Sequence, residues 1–135
     1  MRVGFFGDTF PMMRWMCKSK IHRVTVTEAL LHYEGSITVD AVLLEAADIV
    51  PYEMVQVYNV NNGQRFETYA IPGKKGSGVV CLNGAAARLG MAGDKLILVS
   101  TTFLNDAEVP SFSQRVVFVD EKNRISRTKS KRGAR

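Results

Sequence analysis

The chain has 135 residues, 46% of them hydrophobic and 23% charged, which excludes a wholly disordered polypeptide and suits one domain. No apolar run approaches the roughly 18 residues of a membrane span, and the opening MRVGFFGDTF carries Asp8 among its apolar residues, which argues against a secretory signal. The formal charge of +5 is unevenly spread, because residues 122–135 hold seven basic side chains and no acid, leaving −2 for residues 1–121.

In chain order, Arg23-Val24-Thr25-Val26-Thr27 alternates polar and apolar residues and predicts a half-buried strand. Residues 40–48 open on Asp40, a good helix cap, and space their apolar side chains for a short helix. Residues 54–60 read as a strand, Asn62-Gly63 as a two-residue hairpin turn, and residues 64–71 as the returning strand ended by Pro72-Gly73. The glycine-rich stretch 73–78 lacks the order of a phosphate-binding loop and no long helix follows it, so it reads as a mobile hairpin loop. Residues 79–82 and 96–100 are short apolar strands, and 83–90 between them reads as one helical turn closed by Gly90. Residues 116–119 form a last strand. The basic run beyond it, with no apolar periodicity, reads as a disordered tail over 120–135. Many short strands, Gly-rich turns and one or two short helices predict a mainly β fold, a small β-barrel.

Cys17 and Cys81 form no CxxC motif and offer neither a zinc site nor a disulfide framework, as expected for thiols of a reducing cytoplasm. His22 and His32 lack an obvious third ligand, so no metal is expected.

Five blocks carry most of the chemical information: Lys20-Ile-His-Arg23, His32-Tyr-Glu-Gly-Ser36, Asn62-Gly-Gln-Arg-Phe-Glu-Thr-Tyr-Ala-Ile71, Asn83-Gly-Ala-Ala-Ala87 and Gly93-Asp94. In this order and spacing they resemble the pyruvoyl-dependent aspartate 1-decarboxylases, with Glu34-Gly35-Ser36 resembling the self-processing site. The resemblance implies a six-stranded double-psi β-barrel over residues 13–119, cleaved between residues 35 and 36. It makes residues 1–12 an N-terminal extension or a mis-assigned start, and 120–135 a basic tail. It further implies a homotetramer of processed α and β chains, with active sites between neighbouring subunits, and leaves room for a maturation factor.

The chemistry explains why Gly-Ser suits that place. A hydroxyl attacks an amide carbonyl only when held close to it, and a preceding glycine presents no Cβ to obstruct the approach. Ser36 Oγ then moves the Gly35 acyl group from nitrogen to oxygen, and elimination and hydrolysis leave a pyruvoyl group and ammonia. The negative charge that develops on oxygen needs a preorganised donor, and Thr68 matches the family's threonine for that task. A pyruvoyl ketone forms a Schiff base with a substrate amine and accepts the electron pair of decarboxylation. Pyridoxal phosphate does similar work, but nothing in the sequence announces its lysine in a large α/β fold.

By the resemblance, L-aspartate becomes β-alanine and carbon dioxide, feeding pantothenate and coenzyme A synthesis. Lys20, Arg65 and Thr68 match the substrate-binding positions, and Arg suits a bidentate grip on a carboxylate. Tyr69 matches the proton donor, and Asn83, Gly84, Ala85 and Ala86 match the turn that contacts substrate, with His22, Tyr33 and Tyr58 as further candidates to line the site. On one strand Arg65 and Tyr69 share a side, roughly 13 Å apart, so Arg65 must reach back along the strand or the strand must bend or bulge, and Thr68, facing away, needs local distortion to reach the same pocket. Two rival readings stay open. One is a preference for another acidic amino acid such as glutamate. The other is a non-enzymatic barrel that binds nucleic acid through its tail, against which the −2 balance of residues 1–121 and the absence of an aromatic-rich basic face both argue.

Overall fold

The alternation at residues 23–27 belongs to a longer element, β1 (Met13–Thr25), in the computed structural model, which describes residues 12–132, the last by its backbone alone. Register shifts between Cys17 and Ser19 and between Ile21 and Val24, with Arg23 at φ 66°, break the two-residue period and hide the strand's first ten residues from a pattern reading. The rest of the fold comprises β2 (Glu28–Leu30), β3 (Ser36–Asp40), α1 (Ala41–Ala46), β4 (Met54–Asn59), β5 (Arg65–Gly73) and β6 (Val80–Asn83). A 3-10 turn (Gly84–Arg88) follows, then β7 (Lys95–Asn105), a second such turn (Val109–Ser111), β8 (Ser113–Val119) and β9 (Ile125–Arg132). The expectation for residues 1–12 falls outside the described residues except at Met12, which is exposed.

The fold is mainly β, as expected. All nine strands join one sheet in the order β2-β6-β3-β5-β4-β7-β1-β8-β9. The pairs β1–β8, β2–β6 and β3–β5 are parallel and the others antiparallel. Six strands, β6 to β1, form its middle. β1 and β2 stand six places apart in this order, roughly 29 Å in a flat sheet, yet only Val26 and Thr27 separate them in the chain. Two residues cannot bridge that span, so the sheet curls back on itself, as in a small barrel. Val26 N–H donates to Asp94 O and Thr27 N–H to Val80 O, both at 2.8 Å, stitching the two ends together.

The concave face of this curl holds the core. Ile21, Ile37, Val57, Ala70, Leu82 and Leu98, one from each central strand, are all 0% exposed, and burying each of the larger ones contributes about 1.5–3 kcal/mol. Asp40 caps α1 by accepting from Val42 N–H at 2.9 Å, which ends β3 and starts the expected helix. The same carboxylate accepts from Gly76 N–H at 3.0 Å and Gly78 N–H at 2.8 Å. The 73–78 loop, expected to be mobile, is therefore tied down, and two of its backbone donors are already engaged.

Two further expectations change. The β4–β5 connection is longer than a two-residue turn: Asn59 N–H donates to Gln64 O, and Asn59 Oδ1 accepts from the N–H groups of Asn61 and Asn62. Of Asn62 and Gly63 only the glycine has positive φ, at 77°. The basic tail, read as disordered, contains β9, paired antiparallel with β8 from Val119 to Ser113. Its anchor is Asn123, at φ 60° and 2% exposed, whose side chain accepts from Thr25 N–H and donates to Thr25 O and Gly78 O. The outer strand stays polar because it is solvated, and Arg127 lies over the Phe118 ring at 4.3 Å.

Candidate active site

Ser36 is the first residue of β3 and lies opposite Asn83, the last residue of β6. On its other side β3 pairs with β5 in parallel, Ile37 beside Ala70, which sets Ser36 level with Tyr69 one residue back. Ile37 and Ala70 face the core, so Ser36, Asn83 and Tyr69 share the opposite face of the sheet. Both Ser36 and Asn83 are nonetheless buried, at 0% and 2% exposure, while residues 31–35 just before Ser36 are exposed.

A closed set of hydrogen bonds holds the serine. Asn83 Nδ2 donates to Ser36 Oγ and to Thr38 Oγ1, each at 2.9 Å. Cys81 Sγ donates to Asn83 Oδ1 at 3.2 Å and so fixes which end of the amide faces the serine. Ser36 Oγ in turn donates to Glu34 O at 3.4 Å. Burial, then the nearby Glu28 carboxylate, push the Cys81 thiol up, which keeps it protonated as a donor. Thr38 and Cys81 are absent from the sequence-derived site. The available signal was strand parity, since each stands two residues from a named partner, Ser36 or Asn83.

Asn83 holds the capping position of the 3-10 turn, but its side chain makes no cap and turns to the serine instead. The first N–H groups of that turn, Gly84, Ala85 and Ala86, thus have no side-chain cap and could meet an anion. Gly84 sits at φ 63° against the backbone of residues 33–35. Gly35 itself has open space where a Cβ would be, and its φ is not left-handed. An open concavity of about 640 Å³ is lined by Leu31, His32, Tyr33 and Glu34, directly ahead of Ser36.

The remaining sequence-predicted residues are only partly brought together. β4 and β5 pair without a register shift from Met54–Tyr69 to Tyr58–Arg65, so this stretch of β5 contains no bulge. Arg65 stays at the far end, its guanidinium 3.7 Å over the Tyr58 ring. Tyr69 faces Tyr52, with ring centroids 6.1 Å apart. Thr68 lies on the other face of β5, away from Ser36. Lys20 on β1 shares the outer face through the rung Lys20–Val99–Gln56–Glu67, but stands three strand spacings, roughly 14 Å, from β5. His22 packs edge-on against Phe118 at 5.5 Å, and burial, then the Lys20 and Arg23 charges, lower its pKa. Among the described residues no three His, Cys, Asp or Glu side chains gather to hold a metal, and no helix is long and apolar enough to cross a membrane.

Comparison with known proteins bears on this site. A family model described as aspartate decarboxylase matches residues 12–126. The aspartate 1-decarboxylase of Thermoanaerobacter pseudethanolicus is 56% identical over 113 residues, covering 84% of this chain and 97% of the relative. That of Leptospira biflexa is 58% identical over 114 residues, with 84% and 97% covered. That of Heliobacterium modesticaldum is 59% identical over 114 residues, with 84% and 86% covered.

Proposed function

The chain belongs to the aspartate decarboxylase family, a carboxy-lyase by that membership, and from this premise we propose that it converts L-aspartate to β-alanine and carbon dioxide with a pyruvoyl group made from its own Ser36. The observation that carries the reading is a buried serine, oriented through its Oγ by Asn83, directly after an exposed peptide. The surroundings fit such a group. β3 is paired on both sides from Ile37 to Val39, so a new chain end at residue 36 would stay anchored after the 35–36 bond is cut.

In processing, Ser36 Oγ adds to the Gly35 carbonyl carbon, its proton passes to the peptide nitrogen, and the C–N bond breaks to leave an ester. Loss of the Ser36 Cα proton expels the Gly35 carboxylate and leaves dehydroalanine, which takes up water and releases ammonia. When formed, the pyruvoyl group supplies a carbonyl conjugated to an amide, able to engage the substrate amine and take the electron pair released with carbon dioxide. The chain's own residues do the rest. Arg65 holds a substrate carboxylate, with Tyr58 beneath its guanidinium as a rigid platform. Tyr69, level with Ser36, returns a proton to the carbon that lost its carboxyl. The turn of Asn83, Gly84, Ala85 and Ala86 offers backbone N–H groups to the other carboxylate. The donor role of Thr68 requires β5 to open locally, because the regular strand turns this residue inward.

The distance of Lys20 from Ser36 is consistent with a homotetramer in which a neighbouring copy supplies this cation. Trp15 and Phe103, paired across β1 and β7 and 63% and 62% exposed, give the outer face the apolar surface an interface needs. We place the enzyme in the cytoplasm, supplying β-alanine to pantothenate and coenzyme A synthesis, with a maturation factor as an additional partner. The test is the intact mass of purified protein, with a decarboxylation assay on aspartate and glutamate. Two fragments divided between Gly35 and Ser36 are expected, with turnover of aspartate; Ser36→Ala is expected to stay whole and inactive. Decarboxylation by that variant would refute the proposal.

A further inference from the structure

Gly84 directly follows Asn83 and faces the backbone of residues 33–35, and its position has a second peculiarity beyond positive φ. A Cβ at this position would stand 2.6 Å from the Tyr33 carbonyl oxygen, 2.7 Å from Gly35 Cα and 2.7 Å from Gly35 N. All three atoms are backbone, so no side-chain rotation relieves the collision. Ordinary contact begins near 3.5 Å, so residues 33–35 would have to retreat by about 1 Å. They have room to do so, since residues 31–35 are exposed and none belongs to the core cluster. Ser36 is not free to follow, because β3 holds it opposite Asn83 and Asn83 Nδ2 grips its Oγ. A side chain at residue 84 would therefore pull the Gly35 carbonyl away from a nucleophile that stays fixed.

We propose that Gly84 is a positioning residue for self-cleavage: its missing Cβ lets the end of β6 serve as the surface against which the scissile peptide is pressed toward Ser36. This rests on the reading of Ser36 as the source of the pyruvoyl group. It assigns to Gly84 a task separate from offering its N–H to substrate. It also accounts for the open space at Gly35, because the glycine whose side chain cannot be tolerated is the one across the contact.

The closing experiment follows cleavage of the full-length chain by intact mass over time, beside its melting temperature. Gly84→Ala combines a strained φ with the collision. Gly63→Ala carries a similar φ, 77°, with nothing within 4 Å of the added Cβ, and serves as the control for strain alone. Asn, which tolerates left-handed backbone best among side-chain residues, gives the second variant, Gly84→Asn. We expect Gly63→Ala to cleave like the parent chain. Both residue-84 variants should fold with melting temperatures near that of Gly63→Ala yet cleave about 100-fold more slowly, the loss typical of a 1 Å misplacement. Cleavage of either residue-84 variant within twofold of the parent rate overturns the proposal. Failure of both to fold overturns it too, because the collision would then reach beyond residues 33–35. A parent chain that never divides at residue 35, even in an extract of its own cells that supplies a maturation factor, refutes the underlying pyruvoyl reading instead, a distinct result.

Discussion

Asn83→Leu is the sharpest probe of how the serine is oriented. Leucine keeps the branching of the asparagine side chain and removes all of its polar atoms. Three partners are lost at once: Ser36 Oγ, Thr38 Oγ1 and Cys81 Sγ. Thr38 is half-buried and can turn to water, and a thiol is a weak donor, so the main loss falls on Ser36, which is 0% exposed. A neutral hydrogen bond has a net worth of about 1 kcal/mol, rising toward about 3 kcal/mol where the partner is left buried and unpaired. If that energy is spent in holding Oγ in its reactive direction, its loss slows self-cleavage by roughly 5- to 150-fold. The assay is the rate of appearance of the two fragments after rapid purification of the intact chain. Thr38→Val removes a partner of the amide without touching the serine, and should cleave nearly as the parent does. Cys81→Ala frees the amide to flip and should fall between the two. Cleavage of Asn83→Leu within twofold of the parent, or equal slowing in Thr38→Val, would refute an orienting role.

Two further outcomes follow from the geometry. Tyr69→Phe should divide normally between Gly35 and Ser36 yet lose about 10²- to 10⁴-fold in turnover, the usual worth of a positioned proton donor; failure to divide would move Tyr69 into the processing step. The folded chain disfavours the charged His22 imidazole, first by burial and then through Lys20 and Arg23, so its pKa falls below the ordinary 6.5. The unfolded chain then binds the extra proton, and stability, complete above about pH 6.5, declines as pH falls toward the folded pKa. Between pH 7.5 and about pH 5.5 the parent should lose more in melting temperature than His22→Gln, and equal losses would count against it.

How much of this was legible beforehand depended on whether a residue's environment is local. α1, with Asp40 at its cap and Leu43 and Leu44 buried, obeys short-range rules and was read within two residues of its ends. β4 was legible because Val55 and Val57 alternate cleanly toward the core. β2 was not, since its three exposed residues become a strand only through parallel pairing with β6. β9 was hidden for a similar reason, its polar composition resembling a solvated tail until Asn123 ties the preceding turn to Thr25 and Gly78. Within the site, Ser36, Tyr69 and Asn83 came from the family resemblance, and the structure gathers them at one level of the sheet. Their supporting residues, Thr38 and Cys81, carry no motif. They are recognisable only once the β3–β6 register is known.

Strand parity also divides the work among neighbours. Thr68 and Tyr69 are adjacent in a strand without a bulge, so they face opposite sides of the sheet and cannot serve one pocket from this conformation. Tyr69 lies level with Ser36 on the outer face, with Arg65 four rungs away and Lys20 on the rung of Glu67. On the proposed reading, Tyr69 is the residue of this face that stands beside residue 36, with the two cations farther off. From the end of β6, Asn83 reaches Ser36 Oγ and Gly84 lies against the Gly35 backbone, so on the proposed reading this end of the strand holds the scissile peptide. Under that reading, Tyr69 and Arg65 of β5 bear on using the group, while Asn83 and Gly84 bear first on making it. A substitution of Tyr69 or Arg65 on β5 should spare cleavage while harming turnover, and one at Asn83 or Gly84 should harm cleavage first.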